Sequence, residues 1–153
     1  MKIMDVLVKD AVILDLASGT KEEVLREMSL ALSKAEPAVD SDRLLQVLIE
    51  REALQSTGIG EGVAIPHGKM PGLDRLMASF ARSRPGVDFA SIDGQATKLF
   101  FLLVVPEHSG GQHLKALARI SRFFRDAAFR QRLEEVDSLD DVFRAIDEED
   151  AKF

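Results

Sequence analysis

The sequence predicts an α/β fold in which a mixed central sheet is flanked by helices on both faces. The segment Leu99–Val105 is an almost unbroken apolar run, which is typical of a central strand covered on both sides. Apolar residues recur at helical spacing both before and after this run. Shorter apolar segments bounded by glycine and proline supply further strands, and such a mixture of strands and helices favours a layered α/β arrangement.

The N-terminal third is predicted to contain one strand and two helices. The strand is Ala11–Leu16. Thr20 and Glu23 form a capping-box pattern, so a helix should begin here and end before Pro37. A second helix is expected over about residues 40–54, because its leucines recur at helical spacing.

Short strands and turns are predicted for the middle of the chain. In order, they are a flexible glycine loop (58–62), a short buried strand (63–65), a loop (70–74), a strand (76–81), a turn at Pro85-Gly86, an edge strand (87–89) and a second turn (92–95). Pro66 and Gly68 are expected to end the short buried strand, which places His67 at a strand end.

Three helices are predicted after the central strand. The first begins near Gln112 with Leu114 on or beside its inner face, and the others lie near 127–135 and 139–146. The acidic residues 147–150 are expected to form a solvated, frayed end. Because no repeat, low-complexity tract or linker interrupts the sequence, residues 1–153 are predicted to form one domain.

Composition excludes several functional classes. The 153 residues include 20 Lys and Arg against 26 Asp and Glu, a formal charge of −6, which argues against binding to duplex nucleic acid or to an anionic membrane. There are no cysteines, so thiolate catalysis and disulfides are excluded, as suits a reducing compartment. No segment approaches the ~20 apolar residues of a membrane span. Asp5, Lys9 and Asp10 break any apolar stretch near the start of the sequence, so we expect no secretory signal there. We therefore expect a cytoplasmic protein without membrane insertion.

The most informative motif is G-I-G-E-G-V-A-I-P-H-G, residues 58–68, which ends on His67 and Gly68. A metal site is poorly supported, because His108 and His113 have the wrong spacing for one helical face. The G-x-S-x-G motif of serine hydrolases is missing, and the glycines match neither a dinucleotide-binding motif nor a P-loop.

A phosphoryl-accepting histidine fits these residues better. Neutral imidazole is a good nucleophile near pH 7. Arg51 at the end of the second helix and His113 in the first turn of a later helix could support the phosphoryl group. The alternatives are a structural role for His67, a capping role for His113 and a surface ion pair between Arg51 and Glu50.

The stretch from Glu52 to Gly68 resembles a known active-site signature. It reads E-A-L-Q-S-T-G-I-G-E-G-V-A-I-P-H-G and fills every position of the signature of mannitol/fructose-type enzyme IIA domains of the bacterial sugar phosphotransferase system. Arg51 and His113 match the two supporting residues of that family at the family's spacing. The resemblance covers essentially the whole chain and implies a single type-2 enzyme IIA domain over residues 1–153.

The resemblance also implies a mechanism. His67 would accept a phosphoryl group on a ring nitrogen, expected to be the tele nitrogen Nε2, from a histidine-containing phosphocarrier protein and later pass it on. His113 and Arg51 would support that group, and no metal or nucleotide cofactor would be needed.

Within this family, the sequence looks most like the nitrogen-regulatory enzyme IIA. The stretches S-T-G-I-G-E-G-V-A-I-P-H-G-K, P-G-V-D-F-A-S-I-D-G-Q and L-F-F-L-L-V-V-P-E carry this resemblance. It implies regulatory output through proteins such as sensor kinases or potassium transporters. The alternatives are a sugar-specific enzyme IIA that donates to a separate IIB component, and a binding module that signals without phosphate. No role is assigned to His108.

Overall fold

The computed structural model describes residues 1–153 and contains six α-helices around a five-stranded sheet. The helices are α1 (Ile3–Val6), α2 (Lys21–Ala35), α3 (Ser41–Leu54), α4 (Gln112–Phe123), α5 (Ala127–Glu135) and α6 (Leu139–Asp150). The strands are β1 (Gly58–Gly60), β2 (Val63–Ala64), β3 (His67–Met70), β4 (Met77–Val87) and β5 (Thr97–Pro106). None of the helices is both long enough and apolar enough to cross a lipid bilayer.

Strand β5 organises the mixed sheet. It pairs with β4 antiparallel and with both β2 and β3 parallel, and β1 pairs antiparallel with β2. The two parallel partners keep one register, because Val63 faces Leu99 and His67 faces Leu103. Between them lies Pro66, which has no N–H to donate to a ladder. Strands β2 and β3 therefore behave as one interrupted strand.

Two apolar cores lie on opposite faces of the sheet. Because strand side chains alternate, successive residues of β5 enter different cores. One core receives Leu99, Phe101, Leu103 and Val105, and the other receives Phe100, Leu102 and Val104. Helices α4, α5 and α6 contribute to the first core, and α2 and α3 to the second. The predicted α/β class, the mixed sheet with helices on both faces and the buried central strand are all confirmed.

The helix starts confirm the capping analysis. The Thr20 hydroxyl accepts a hydrogen bond from the Glu23 backbone N–H at 3.3 Å, and it donates to the Glu23 carboxylate at 2.8 Å. The Asp40 carboxylate caps α3 by accepting from the N–H groups of Asp42 and Arg43. These contacts satisfy backbone donors that have no partner within the helix.

The predicted strand at Ala11–Leu16 does not form as a regular ladder. Residues Lys9–Ala11 make a single turn of 3₁₀-helix, and Ile13 forms only an isolated bridge with Ala81. Because the turn uses the start of this segment, only a few residues remain extended beside β4.

The turn predicted at Pro85-Gly86 is a bulge within one long strand. Strand β4 runs through both residues, with a shift in register between Arg82 and Val87. Gly86 has a φ of +86°, which glycine adopts at little cost. The separate edge strand predicted at 87–89 is therefore wrong, since Val87 ends β4.

Two glycine assignments also need correction. The first glycines of the predicted flexible loop form β1, where Gly58 pairs with Ala64. Gly68 does not end a strand, because it lies within β3. Glycine in these segments allows close approach of neighbouring elements as well as turning.

The acidic C-terminal end is ordered by contacts distant in sequence. Helix α6 continues to Asp150, whose carboxylate accepts from the backbone N–H groups of Ile3 and Met4, both at 2.9 Å. Arg119 of α4 donates to the same carboxylate at 3.0 Å. The predicted frayed end is therefore wrong, and so is the inward position of Leu114, which is 62% exposed.

A buried arginine joins two parts of the fold. Arg82 is 0% exposed and donates to the carbonyl oxygens of Leu14 and Leu133, both at 3.1 Å, and to that of Val136. It also pairs with Asp15 at 3.2 Å. Its charge thus meets carbonyls at the C-terminal end of α5, where a helix dipole favours a cation.

We predict that Arg82→Ala lowers the free energy of unfolding by about 3 kcal/mol, because it opens a cavity and leaves buried carbonyls without donors. Arg84→Ala is the matched control, since Arg84 pairs with the same Asp15 but has a half-exposed side chain. Its effect should stay within about 0.5 kcal/mol. Urea unfolding of the variants measures both values, and equal losses would contradict the assigned role of Arg82.

Candidate active site

A cavity of about 590 Å³ brings together the three predicted site residues, His67, Arg51 and His113. Its walls come from α3, β3, β5 and α4. The other lining residues are Val47, Glu50, Leu54, Gly68, Lys69, Leu103, Val105 and Leu117. Much of the lining is therefore aliphatic, with a small number of charged and imidazole groups.

The His67 ring is held by the chain just before it. Its Nδ1 lies 2.8 Å from the backbone oxygen of Ile65. Because a carbonyl can only accept, Nδ1 must carry the hydrogen of the neutral ring. The lone pair of the neutral imidazole is then on Nε2.

The environment of His67 favours the neutral form. Burial lowers the pKa of His67 below its ordinary value, and the positive charge of Arg51 acts in the same direction. The hydrogen bond to Ile65 and the negative charge of Glu52 oppose this effect, but the net shift is downward. A neutral imidazole is the form that can act as a nucleophile.

Close packing between α3 and β3 requires glycine after His67. A Cβ atom added to Gly68 would lie 2.4 Å from Cγ1 of Val47, which is far inside van der Waals contact. Val47 and Arg51 are four residues apart, so they occupy the same face of α3. The missing side chain of Gly68 therefore lets this helix face, with Arg51, approach His67.

Arg51 keeps its charge available to the cavity. Its Nη1 donates to the backbone oxygen of Gln55 at 2.7 Å, just beyond the end of α3. None of the ion pairs of the structure, which join charged atoms within 4.0 Å, includes Arg51. The surface ion pair considered from the sequence is therefore absent, and the guanidinium can bind an anion.

His113 lies in the first turn of α4. Its Nδ1 is 3.1 Å from the Gly110 carbonyl oxygen and 3.3 Å from the Ser109 hydroxyl. When the ring donates to Gly110, the neutral form has its lone pair on Nε2. When Ser109 donates to Nδ1 instead, Nε2 carries the hydrogen and can donate to an anion in the cavity.

The remaining titratable groups separate into those inside and those outside the cavity. Lys69 and Glu50 line it, and the sequence analysis assigned no role to either. The sequence could have indicated them by proximity alone, because Lys69 is two residues from His67 and Glu50 is one residue from Arg51. His108 lines a different depression, beside the loop at 72–75. No group of three or more His, Asp or Glu side chains is arranged to bind a metal ion.

Glu52 follows Arg51 but does not line the cavity. Its buried carboxylate accepts from the Thr57 backbone N–H at 3.0 Å and from the Thr57 hydroxyl, and it pairs with Lys21 at 2.8 Å. These contacts connect the end of α3 to the beginning of β1 and to the first residue of α2. The sequence showed Glu52 as the first position of the signature without indicating these partners.

The sequence of residues 5–149 matches the family described as "Phosphoenolpyruvate-dependent sugar phosphotransferase system, EIIA 2". A nitrogen regulatory protein of Bradyrhizobium diazoefficiens is 43% identical over 134 residues, which cover 87% of this chain and 86% of that protein. The fructose-specific EIIABC component of Bacillus subtilis is 37% identical over 150 residues. That match covers 98% of this chain but only 24% of the longer protein.

Solved structures have the same fold. The nitrogen regulatory protein IIA-Ntr of Neisseria meningitidis superposes with a TM-score of 0.88 and 34% identity, covering 94% of this chain and 98% of that one. The mannitol IIA of Escherichia coli gives a TM-score of 0.76 at 23% identity, covering 90% and 96% of the two chains. At that identity the second comparison supports the fold alone.

We predict that the imidazole of His67 titrates with a pKa below its ordinary value of about 6.5. The sign follows from burial, which penalises the charged imidazolium, so less than half of His67 is protonated at pH 6.5. Arg51→Ala should raise the pKa part of the way back, because it removes a nearby positive charge but leaves the ring buried. NMR titration of the ring protons measures both values. A midpoint at or above 6.5 in the unsubstituted protein would contradict this description of the site.

Proposed function

The chain belongs to the EIIA 2 family of the phosphoenolpyruvate-dependent sugar phosphotransferase system, and we propose that it carries a phosphoryl group on Nε2 of His67. The hydrogen bond between His67 Nδ1 and the Ile65 carbonyl, beside a cavity that Arg51 and His113 also line, carries this proposal. It leaves the tele nitrogen of the neutral ring free to attack. Residues 1–153 would act as one EIIA unit.

The transfer step requires one bond to form and one to break. The lone pair of His67 Nε2 attacks the phosphorus of a phosphohistidine on a histidine-containing phosphocarrier protein. The donor's N–P bond breaks, and its electron pair returns to the donor nitrogen. The hydrogen on Nδ1 of His67 stays in place and keeps its hydrogen bond to the Ile65 carbonyl. With both ring nitrogens substituted, the ring carries a positive charge beside the dianionic phosphoryl group. A reversal of these events passes the group to the next acceptor.

Arg51 and His113 support the phosphoryl group in this mechanism. The planar guanidinium of Arg51 can donate two parallel hydrogen bonds to phosphoryl oxygens. His113 donates through Nε2 when Ser109 binds Nδ1 or when the ring is protonated. Lys69 adds a second cation to the lining of the cavity. Such preorganised donors stabilise charge that is shared between donor and acceptor during transfer.

The output of this carrier is regulatory. The relative from Bradyrhizobium diazoefficiens and the structure from Neisseria meningitidis, both described as nitrogen regulatory proteins, support this branch of the family. In this role the protein works in the cytoplasm, where phosphorylation of His67 changes its binding to regulatory targets such as sensor kinases or potassium transporters. Leu54 lies on the cavity rim and is 83% exposed, which makes it available to a docking partner.

Sugar transport is the second candidate function. The fructose-specific protein of Bacillus subtilis, similar over nearly all of this chain, favours it. In that role His67 would donate its phosphoryl group to a separate IIB component. Mixing the phosphorylated protein with a purified fructose-type IIB separates the two roles, since rapid transfer supports transport and retention of the phosphoryl group supports regulation.

We predict that the protein gains one phosphoryl group when it is incubated with enzyme I, a histidine phosphocarrier and phosphoenolpyruvate. His67→Ala should abolish the gain because it removes the nucleophile, whereas His108→Ala, the matched control outside the cavity, should retain it. Intact mass spectrometry at neutral to alkaline pH, where phosphohistidine survives, measures the product. Uptake by His67→Ala would disprove the site assignment, and loss of uptake in a folded His108→Ala protein would show that the site also requires His108.

We predict that Arg51→Ala and His113→Ala each slow phosphoryl uptake by about 100-fold, the typical effect of removing one preorganised donor to a developing charge. Both variants should remain folded. Arg26→Ala on the exposed face of α2 is the control for Arg51, and it should keep the original rate. Rapid-quench measurement of a single turnover gives these rates. Unchanged uptake in His113→Ala would leave His113 with a capping role only.

A further inference from the structure

We infer that Glu52 is a positioning residue for phosphoryl transfer, which acts on the His67 ring through Thr57 and Ile65. This inference rests on the proposed function, because it concerns the geometry of the same nucleophile. Glu52 does not line the cavity and does not contact the reacting atoms. Its effect is therefore indirect and passes through a short series of hydrogen bonds.

The first part of this series is a pair of hydrogen bonds from Thr57 to the Glu52 carboxylate. One carboxylate oxygen accepts from the Thr57 backbone N–H at 3.0 Å, and the other accepts from the Thr57 hydroxyl. Glu52 and Thr57 are both buried, with 9% and 4% of their surface exposed. Two hydrogen bonds to one residue restrain both its position and its orientation.

The second part runs from Thr57 to the histidine. The Thr57 carbonyl accepts from the Ile65 N–H at 3.0 Å, and the Ile65 carbonyl accepts from His67 Nδ1 at 2.8 Å. The backbone of Ile65 thus connects the two residues: its N–H donates to Thr57, which Glu52 restrains, and its carbonyl accepts from the His67 ring. A shift of Thr57 would move Ile65 and with it the acceptor that orients the ring.

The charges around Glu52 are hard to explain by helix stability alone. Glu52 lies two residues from the C-terminal end of α3, and Lys21 is the first residue of α2. Each charge is therefore at the end of its helix where the dipole disfavours it. They offset this cost by pairing at 2.8 Å, and Lys21 also lies over the Phe89 ring at 4.7 Å. The pair joins α2, α3 and the start of β1 at one buried point.

This arrangement couples the two sides of the active site. Arg51 is the residue before Glu52, so the helix end that carries the guanidinium is tied to the segment that orients His67. Errors of about 1 Å in the position of reacting groups can cost roughly 100-fold in rate. A single buried carboxylate can therefore influence the alignment of both the nucleophile and its supporting cation.

The test compares Glu52→Ala with Glu52→Gln. Glutamine can still accept from the Thr57 N–H and can donate to the Thr57 hydroxyl, whereas alanine retains neither bond. We expect Glu52→Ala to slow single-turnover uptake from phosphorylated carrier by about 10- to 100-fold. In this variant, the ¹⁵N shifts of the His67 ring should show that Nδ1 no longer carries the hydrogen in most molecules. Glu52→Gln should stay within about 3-fold of the original rate and keep the hydrogen of His67 on Nδ1. Asp42→Ala is the control, because it removes an exposed carboxylate from the other end of α3, and it should give the same result.

The outcomes separate this inference from the proposed function. A folded Glu52→Ala protein with the original rate or the original ring shifts would overturn the positioning role. If Glu52→Ala does not fold, Thr57→Val decides, because it removes the hydroxyl but keeps the branched shape. A several-fold slower rate with mixed ring forms would support the inference, and unchanged values would overturn it. If the unsubstituted protein takes up no phosphoryl group, the proposed function fails, yet the ring shifts of the variants still test the positioning of His67.

Discussion

Strand β5 is buried on both faces, and its two backbone edges fix the strands beside it. Strands β2 and β3 keep one register along the same edge although Pro66 interrupts them. Pro66 has no N–H to donate, but its carbonyl still accepts from Leu103 at 3.0 Å. His67 therefore resumes the pairing directly opposite Leu103, which also lines the cavity. The position of the histidine is therefore fixed by pairing with a buried central strand.

At the interruption, the backbone groups of Ile65 make hydrogen bonds outside the β5 ladder. The Ile65 N–H donates to the Thr57 carbonyl, and the Ile65 carbonyl accepts from Nδ1 of His67, so both backbone groups of Ile65 help to hold the proposed site. Burial lowers the pKa of His67 and so favours the neutral ring, and this hydrogen bond leaves the lone pair of that ring on Nε2. Although the chain carries a net charge of −6, two cations, Arg51 and Lys69, line the cavity beside one carboxylate. The local charge thus suits a phosphoryl group despite the acidic composition.

Local patterns made much of this structure predictable from the sequence. Neighbouring residues alone predict three features: the helix start at Thr20, the central strand β5 and the short strand before His67. The predictions that were wrong concern segments whose structure depends on contacts distant in sequence. The acidic end of α6 was expected to be frayed because no local pattern shows that Asp150 binds the backbone of Ile3 and Met4. The bulge at Pro85-Gly86 likewise resembles a turn until β5 pairs on both sides of it.

His67, Arg51 and His113, the site residues predicted from the sequence, line one cavity, but the sequence does not show how the ring of His67 is held, since that depends on the contacts of Ile65. We propose that this restraint makes Nε2 the acceptor. Correlated ¹H, ¹⁵N and ³¹P NMR of the phosphorylated protein tests it most directly. We expect phosphorus coupling to Nε2 while Nδ1 keeps its hydrogen. Phosphorus bonded to Nδ1 would contradict the claim, because that atom could not also donate to the Ile65 carbonyl.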